Sequence, residues 1–285
     1  MDLYELVEKN RKGRDVRQLC KLLGVSRSGF YAWRSRGESD RQRYDGELKE
    51  AIVELHQGFR RAYGARRIHQ QLRRNGFDCS VRRVTRLMKE VGVEASSKGL
   101  YTWNPGRHEF YSSTGNLLSE DARASAEGQH WAGDFTYIRT GSGWLYHAIV
   151  VDLFSRRVLG WSFSRKRNSE LTKSALRMAL SRERPSVGCI FHSDQGIEYA
   201  AHEYRDLVES ANMRRSMSRK ATPLDNAIVE SFFHTLKTEL VHQQKFESDI
   251  EAVARVVEFI EFYNRERLHS GIGYESPENY SRACA

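Results

Sequence analysis

Apolar and polar positions along this 285-residue chain change their period twice, and the changes divide it into parts. In residues 14–36, Val16, Leu19, Leu22 and Leu23 recur at helical spacing. Gly24 then interrupts, and Ser26 is placed to cap a second helix carrying Phe30, Tyr31 and Trp33. Helix, short glycine turn and capped helix is the pattern of a helix-turn-helix, whose second helix can enter the DNA major groove. Residues 63–92 repeat it, with one helix ending near Gly76 and the next capped by Ser80. Residues 93 to about 125 hold no period and are rich in Ser, Gly and Asn, which predicts a linker whose aromatic residues dock on a neighbour or on DNA.

From residue 130 the pattern becomes that of strands. Phe135, Tyr137 and Ile138 lie in a first run, Gly141-Ser142-Gly143 is a turn, and Trp144 to Leu153 is nearly continuous in apolar residues, as a buried central strand would be. Val158 to Phe163 supplies a third strand, and the short turns predict an antiparallel meander. A helix follows over about Ser169 to Glu183, with Leu171, Ala175, Met178 and Ala179 facing inward. A strand over 189–194, a helix over 198–211 and a strand over 213–217 come next. The stretch TPLDNAIVESFFHTLK reads as a helix opened by Pro223 or Asp225, and residues 249–268 as a strongly periodic one before a Gly- and Pro-punctuated tail. Trp131, Trp144 and Trp161 are expected in the core. The predicted class is α/β: all-α units, then a mixed layered sheet, then a helical extension. The expected boundaries are helix-turn-helix units over 1–43 and 44–97, a linker over 98–124, a catalytic core over 125–240 and the extension over 241–285.

Composition sharpens this picture at three points. The chain is 39% hydrophobic, enough for a sizeable core, yet no run reaches the roughly 18 to 20 apolar residues of a membrane span. With charges from Asp2 onward and no apolar leader, a cytoplasmic protein without membrane contact is expected. Cys20, Cys79, Cys189 and Cys284 stand singly, which predicts reduced packing residues rather than a zinc site or disulfides. The net charge of +9 falls entirely within the first 120 residues, a distribution suited to phosphate-backbone binding, although a soluble basic surface would look alike. Arg82, Arg83, Arg86 and Lys89 cluster on the second basic unit, and Arg214, Arg215, Arg219 and Lys220 flank a loop where they would grip a DNA strand or line a solvated turn.

Three carboxylates carry candidate chemistry. Asp134 lies in the first strand, Asp194 ends the strand after the first long helix, and Glu230 lies on the TPLDNAIVESFFHTLK helix. A carboxylate at a strand end beside a glycine, here Gly196, is where α/β sheets tend to place ligands. If the three converge, an all-oxygen donor set suits Mg²⁺ or Mn²⁺; strand-end aspartates also occur without any such role. Asn226, Glu230 and Lys237, spaced by four and seven, share a helix face, with Lys237 about 10 Å beyond Glu230. That distance suits a DNA contact rather than a tight ion pair. Asn226 is read either as a phosphate contact or as a polar residue satisfying helix N-terminal amides, and Asp225 as a cap. His192 is read as a packed strand histidine, with a supporting hydrogen bond as the alternative.

The residues around these positions resemble a known family. GDFTYI, VVDLFSRRVLGW, FHSDQGIEYA, SMSRKATPLDNAIVESFFHTLKTEL and YNRERLHSGIGYESPENY, in this order and with 35 residues between Asp194 and Glu230, are similar to the integrase core of bacterial two-frame (IS-three) insertion-sequence transposases, second-frame product OrfB. The pattern resembles the DDE core of transposases and retroviral integrases, and the likeness runs over about 15–282. It implies an RNase H-like core and two Mg²⁺ or Mn²⁺ ions held by Asp134, Asp194 and Glu230. It implies that Lys237 contacts DNA near the reacting phosphate, while Gln195 stands where relatives often carry a basic residue. The implied activity is cleavage at terminal inverted repeats and strand transfer of the freed 3′ end, to the other end to make a circle and then into target DNA. The implied partners are DNA and a first-frame OrfA protein or its frameshift fusion, with a homo-oligomer forming on DNA. A catalytically inactive DNA-binding regulator and an RNase H-like nuclease are the alternatives.

Overall fold

The computed structural model describes residues 3–35, 39–96, 117, 124–194, 196–217 and 227–284. Helices α1 (Leu3–Asn10), α2 (Val16–Leu22) and α3 (Arg27–Ser35) close on Val7, Leu19, Cys20 and Phe30. Ser26 Oγ accepts from the Gly29 amide at 3.0 Å, and Gly24 takes φ +67°, so the cap and the turn are as expected. Leu22 departs from expectation. It is 82% exposed because the helix ends there and Leu23 packs in its place.

Helices α4 (Asp40–Gly58), α5 (Ala65–Arg74) and α6 (Val81–Glu90) enclose Leu48, Ile52, Tyr63, Ile68, Leu72, Val84 and Leu87. Ser39 and Gln42 form a capping box that opens α4. The apolar pattern does not announce this helix: its buried side chains Leu48, Ile52 and His56, spaced by four, make a stripe one residue wide on an otherwise polar segment.

Strands β1 (His130–Thr140), β2 (Gly143–Asp152) and β3 (Val158–Ser164) form the antiparallel meander. After α7 (Ser169–Arg182), capped by Asn168, β4 (Ile190–Ser193) pairs parallel with β1. Then come α8 (Ile197–Ala200), α9 (His202–Ser210) and β5 (Arg214–Met217), which pairs parallel with β4. The strand order β3-β2-β1-β4-β5, with three antiparallel strands followed by two parallel ones, is the RNase H-like sheet. The helix expected over 198–211 is broken at Ala201, whose backbone is extended; the break lets Tyr199 and Tyr204 pack edge to face at 5.2 Å.

Each face of the sheet carries its own core. Trp131, Ala148, Val150 and Leu159 pack with α7, α8 and α9. Ala132, Ile138, Ile149 and Val151 pack with α10 (Ala227–Glu239) and α11 (Asp249–Arg265). Trp131 and Trp161 are buried, but Trp144 is 49% exposed, since it stands near the start of β2 beyond the helices that cover its centre. The tail ends in a further helix, α12 (Pro277–Cys284), with Pro277 in its first turn. Cys284 is exposed there, against the expectation of packing, while Cys20 and Cys189 are buried. No helix among the described residues is long and apolar enough to cross a membrane.

Candidate active site

The parallel register of β1 and β4 runs Trp131 to Phe191, Ala132 to His192 and Gly133 to Ser193. The next residue along β1 is Asp134, and Asp194 follows directly after the end of β4. Both aspartates therefore come one residue beyond the last pair of two strands about 4.8 Å apart, and Asp134 takes one alternating face of β1. That face is also the one of Ala132 and Ile138, which pack against Val229, Phe232 and Leu236 of α10. Gly133 makes the register possible: a Cβ there would meet Phe191 Cζ at 2.8 Å.

Each aspartate is oriented by backbone. Asp134 is buried and its Oδ1 accepts from the Phe135 amide at 2.8 Å; Asp194 Oδ1 accepts from the Gly196 amide at 3.0 Å. The buried Tyr199 phenol is pushed well above its ordinary range, first by burial and then by Tyr204, Asp134, Asp194 and Glu198. Glu230 is half-buried in the first turn of α10, directly after the fully buried Val229. Among the described residues no three His, Cys, Asp or Glu side chains are close enough together to hold an ion. Asp134 and Asp194 follow the last residue pair of β1 and β4, and Glu230 lies on the helix packed over the face of Asp134.

The other predicted contacts divide. Lys237 Nζ lies 5.1 Å from the ring centre of Tyr137, which is 54% exposed and sits three residues beyond Asp134 on β1. Tyr137 in turn meets the Trp144 ring edge to face at 5.0 Å, and the Arg139 guanidinium lies 5.0 Å from the same indole. Arg214 is exposed at the start of β5, whereas Arg215 is half-buried and donates to the Tyr199 carbonyl at 3.1 Å. On α6, Arg82 and Lys89 are exposed, but Arg83 and Arg86 pair with Asp45 at 2.7 and 2.8 Å. His192 is fully buried and hydrogen-bonds Ser216 Oγ at 2.9 Å through Nδ1. Arg219, Lys220, Pro223, Asp225 and Asn226, with Gln195 and most of the expected linker, lie outside the described residues.

Two further residues beside the aspartates escape a reading of the sequence. Glu198, buried at the start of α8, is ion-paired with Arg167, whose guanidinium lies 4.9 Å from the Phe135 ring centre. The position of Glu198 four residues after Asp194 was a usable signal. Arg167 had none, since it is the last of three successive basic residues, Arg165 to Arg167.

An RNase H-like sheet in the order β3-β2-β1-β4-β5, with Asp134 within β1 and Asp194 directly after β4, is the arrangement of the integrase-core class. Comparisons agree: integrase core domain families match residues 124–223 and 230–283, and an HTH-like domain family matches 43–99. The transposase InsF of insertion sequence IS3A from Escherichia coli K12 is 38% identical over 280 residues, covering 97% of each chain. A 31 kDa protein of insertion element IS600 from Shigella sonnei is 38% identical over 272 residues, covering 94% of this chain and all of that one. Among solved structures, the simian T-cell lymphotropic virus intasome superposes with a TM-score of 0.48 at 16% identity, over 81% of this chain and 74% of that one. The HTLV-2 integrase catalytic core in complex with magnesium (trimeric form) gives 0.45 at 17%, over 56% and 99%. The chain belongs to the IS3 family of insertion-sequence transposases, whose catalytic part is a DDE-type integrase core.

Proposed function

We propose that this chain cleaves DNA at the ends of an insertion sequence and transfers the freed 3′ ends, with Asp134, Asp194 and Glu230 as the reacting carboxylates. The observation that supports the reading is the β1–β4 register, which pairs Gly133 with Ser193, each followed by an aspartate, under the face on which α10, the helix of Glu230, packs. The donor set is oxygen only, because His192 is turned to Ser216, and oxygen donors fit Mg²⁺ or Mn²⁺. Two such ions, when bound, supply activation of a water or 3′-hydroxyl and stabilisation of the leaving oxygen.

The chain's own residues do the rest. The Phe135 and Gly196 amides donate to the two aspartates and fix their direction. Lys237, anchored over Tyr137, extends a cation beside the reacting phosphate, and exposed Arg214, Arg82 and Lys89 take up backbone phosphates further along the DNA. Arg83, Arg86 and Arg215 serve structure first, given their partners, and Asn226, Arg219 and Lys220 complete the expected DNA contacts. A first-frame partner or fusion would add end recognition, several copies would assemble on the two DNA ends, and the work would be done in the bacterial cytoplasm.

The test is nicking and joining of labelled DNA carrying the element ends in Mg²⁺, with and without the first-frame protein, comparing wild type with Asp134→Asn and Glu230→Gln. The expected result is reaction by wild type alone while all three bind DNA equally. Equal reaction by all three would reject the carboxylate assignment. Hydrolysis without joined products would make the chain a nuclease, and DNA binding without reaction a regulator.

A further inference from the structure

Arg167 and Glu198 are used neither by the fold's apolar cores nor by the aspartate pair. Glu198 is 7% exposed, with its Oε1 accepting from Arg167 Nε at 2.5 Å and its Oε2 3.4 Å from Nη2. The guanidinium carbon lies 4.9 Å from the centre of the Phe135 ring, which packs on the face of β1 opposite to that of Asp134. Gly196 supplies a second bearing. A Cβ there would lie 2.9 Å from Asp194 Oδ1 and 3.0 Å from Glu198 Oε2, so the two carboxylates flank one glycine. Arg167 is therefore held by a ring on one side and a buried carboxylate on another, close to Asp194.

An ion pair serving only to neutralise Glu198 needs no such placement, and it would favour a covered arginine. The Arg167 side chain is instead 52% exposed. A guanidinium carries five N–H donors in a rigid fork, and Glu198 engages two of its nitrogens, so donors remain for a ligand. A DNA phosphate approaching two aspartates is repelled by them, and a fixed cation at the rim offsets that repulsion. We propose that Arg167 is a phosphate-binding residue that positions the DNA phosphodiester against Asp134 and Asp194, with Glu198 and Phe135 holding its fork in place. This inference rests on the reading of that pair as the reacting site.

The experiment compares wild type with Arg167→Gln, Arg167→Lys and Glu198→Gln on labelled element-end DNA. It measures DNA affinity across a salt series, the DNA concentration for half-maximal rate, and melting temperature. Loss of one charge-assisted hydrogen bond predicts that Arg167→Gln raises the half-saturating concentration about tenfold. The slope of log affinity against log salt should fall by about one. Arg167→Lys keeps the charge and the slope but loses the fork, so its rate at saturating DNA falls. Glu198→Gln leaves the slope unchanged and moves the rate in the same direction as Arg167→Lys. Unchanged affinity, slope and rate in Arg167→Gln, with only a lower melting temperature, would reduce the pair to a structural ion pair and overturn the proposal. If wild type binds DNA but does not react, the functional reading fails separately, and the salt slope still decides whether Arg167 binds phosphate.

Discussion

Arg267 and Glu239 face one another in a doubly hydrogen-bonded ion pair, Nη2 to Oε1 at 2.6 Å and Nε to Oε2 at 2.9 Å, with both side chains 4% exposed. Glu239 ends α10, the helix of Glu230, and Arg267 follows α11. The next residue, Leu268, receives the α4–α6 helices: its amide donates to Tyr63 Oη at 2.8 Å and its carbonyl accepts from Arg67 Nε at 3.0 Å. Arg60 to Glu258 and Arg74 to Glu275 add contacts at 2.7 Å each. The basic helical unit is thus seated on the C-terminal segment of the catalytic part.

Removing one partner strands a buried charge. Arg267→Met is expected to cost about 3–5 kcal/mol, and the double variant Arg267→Met, Glu239→Leu to recover much of it. Urea unfolding checks the stability, and limited proteolysis of α4–α6 checks the seat. Equal destabilisation by single and double variants would show that the pair is not the anchor.

Gly133→Ala puts a methyl group 2.8 Å from the Phe191 ring in the strand pair that aligns the aspartates. Overpacking of this kind costs about 1–3 kcal/mol. Because the displacement falls next to Asp134, DNA cleavage should decline well beyond the loss of folded protein, while DNA affinity holds. Thermal unfolding and single-turnover cleavage on the same samples separate the two effects.

His147 is fully buried on β2, stacked on Phe163 at 4.4 Å, with Nδ1 3.2 Å from the Ser162 carbonyl. Burial holds its pKa down at about 4. Below about pH 6.5 the unfolded chain takes up a proton that the folded chain refuses until about pH 4, so stability is lost as pH falls through that window. The contribution reaches about 3 kcal/mol at full effect. His269, held at about 2 by burial and then by Arg267, Arg67 and Arg156, acts in the same direction. His147→Phe should flatten the dependence of melting temperature on pH between 4 and 6.5; an unchanged slope would remove His147 as a source.

The sequence by itself determined the local elements and the candidate site residues. Strand and helix periods are set by neighbours two, three or four residues apart, and Ser26, Ser80, Gly24 and Gly76 punctuate them through local hydrogen bonds and backbone freedom. The motifs around Asp134, Asp194 and Glu230 were legible for the same reason, as short runs of residues. Helix α4 was not, because its thin apolar stripe becomes meaningful only when α5 and α6 supply the other walls of the core. Tertiary structure alone decided which of the like-charged arginines are spoken for. Arg83 and Arg86 belong to Asp45, Arg267 to Glu239 and Arg167 to Glu198, pairings between 28 and 41 residues apart that no periodicity encodes. It also decided that Gly133 and Ser193, the residues just before Asp134 and Asp194, are partners, since strand register is settled by the packing of whole faces, Trp131 with Phe191 on one and Ala132 with His192 on the other.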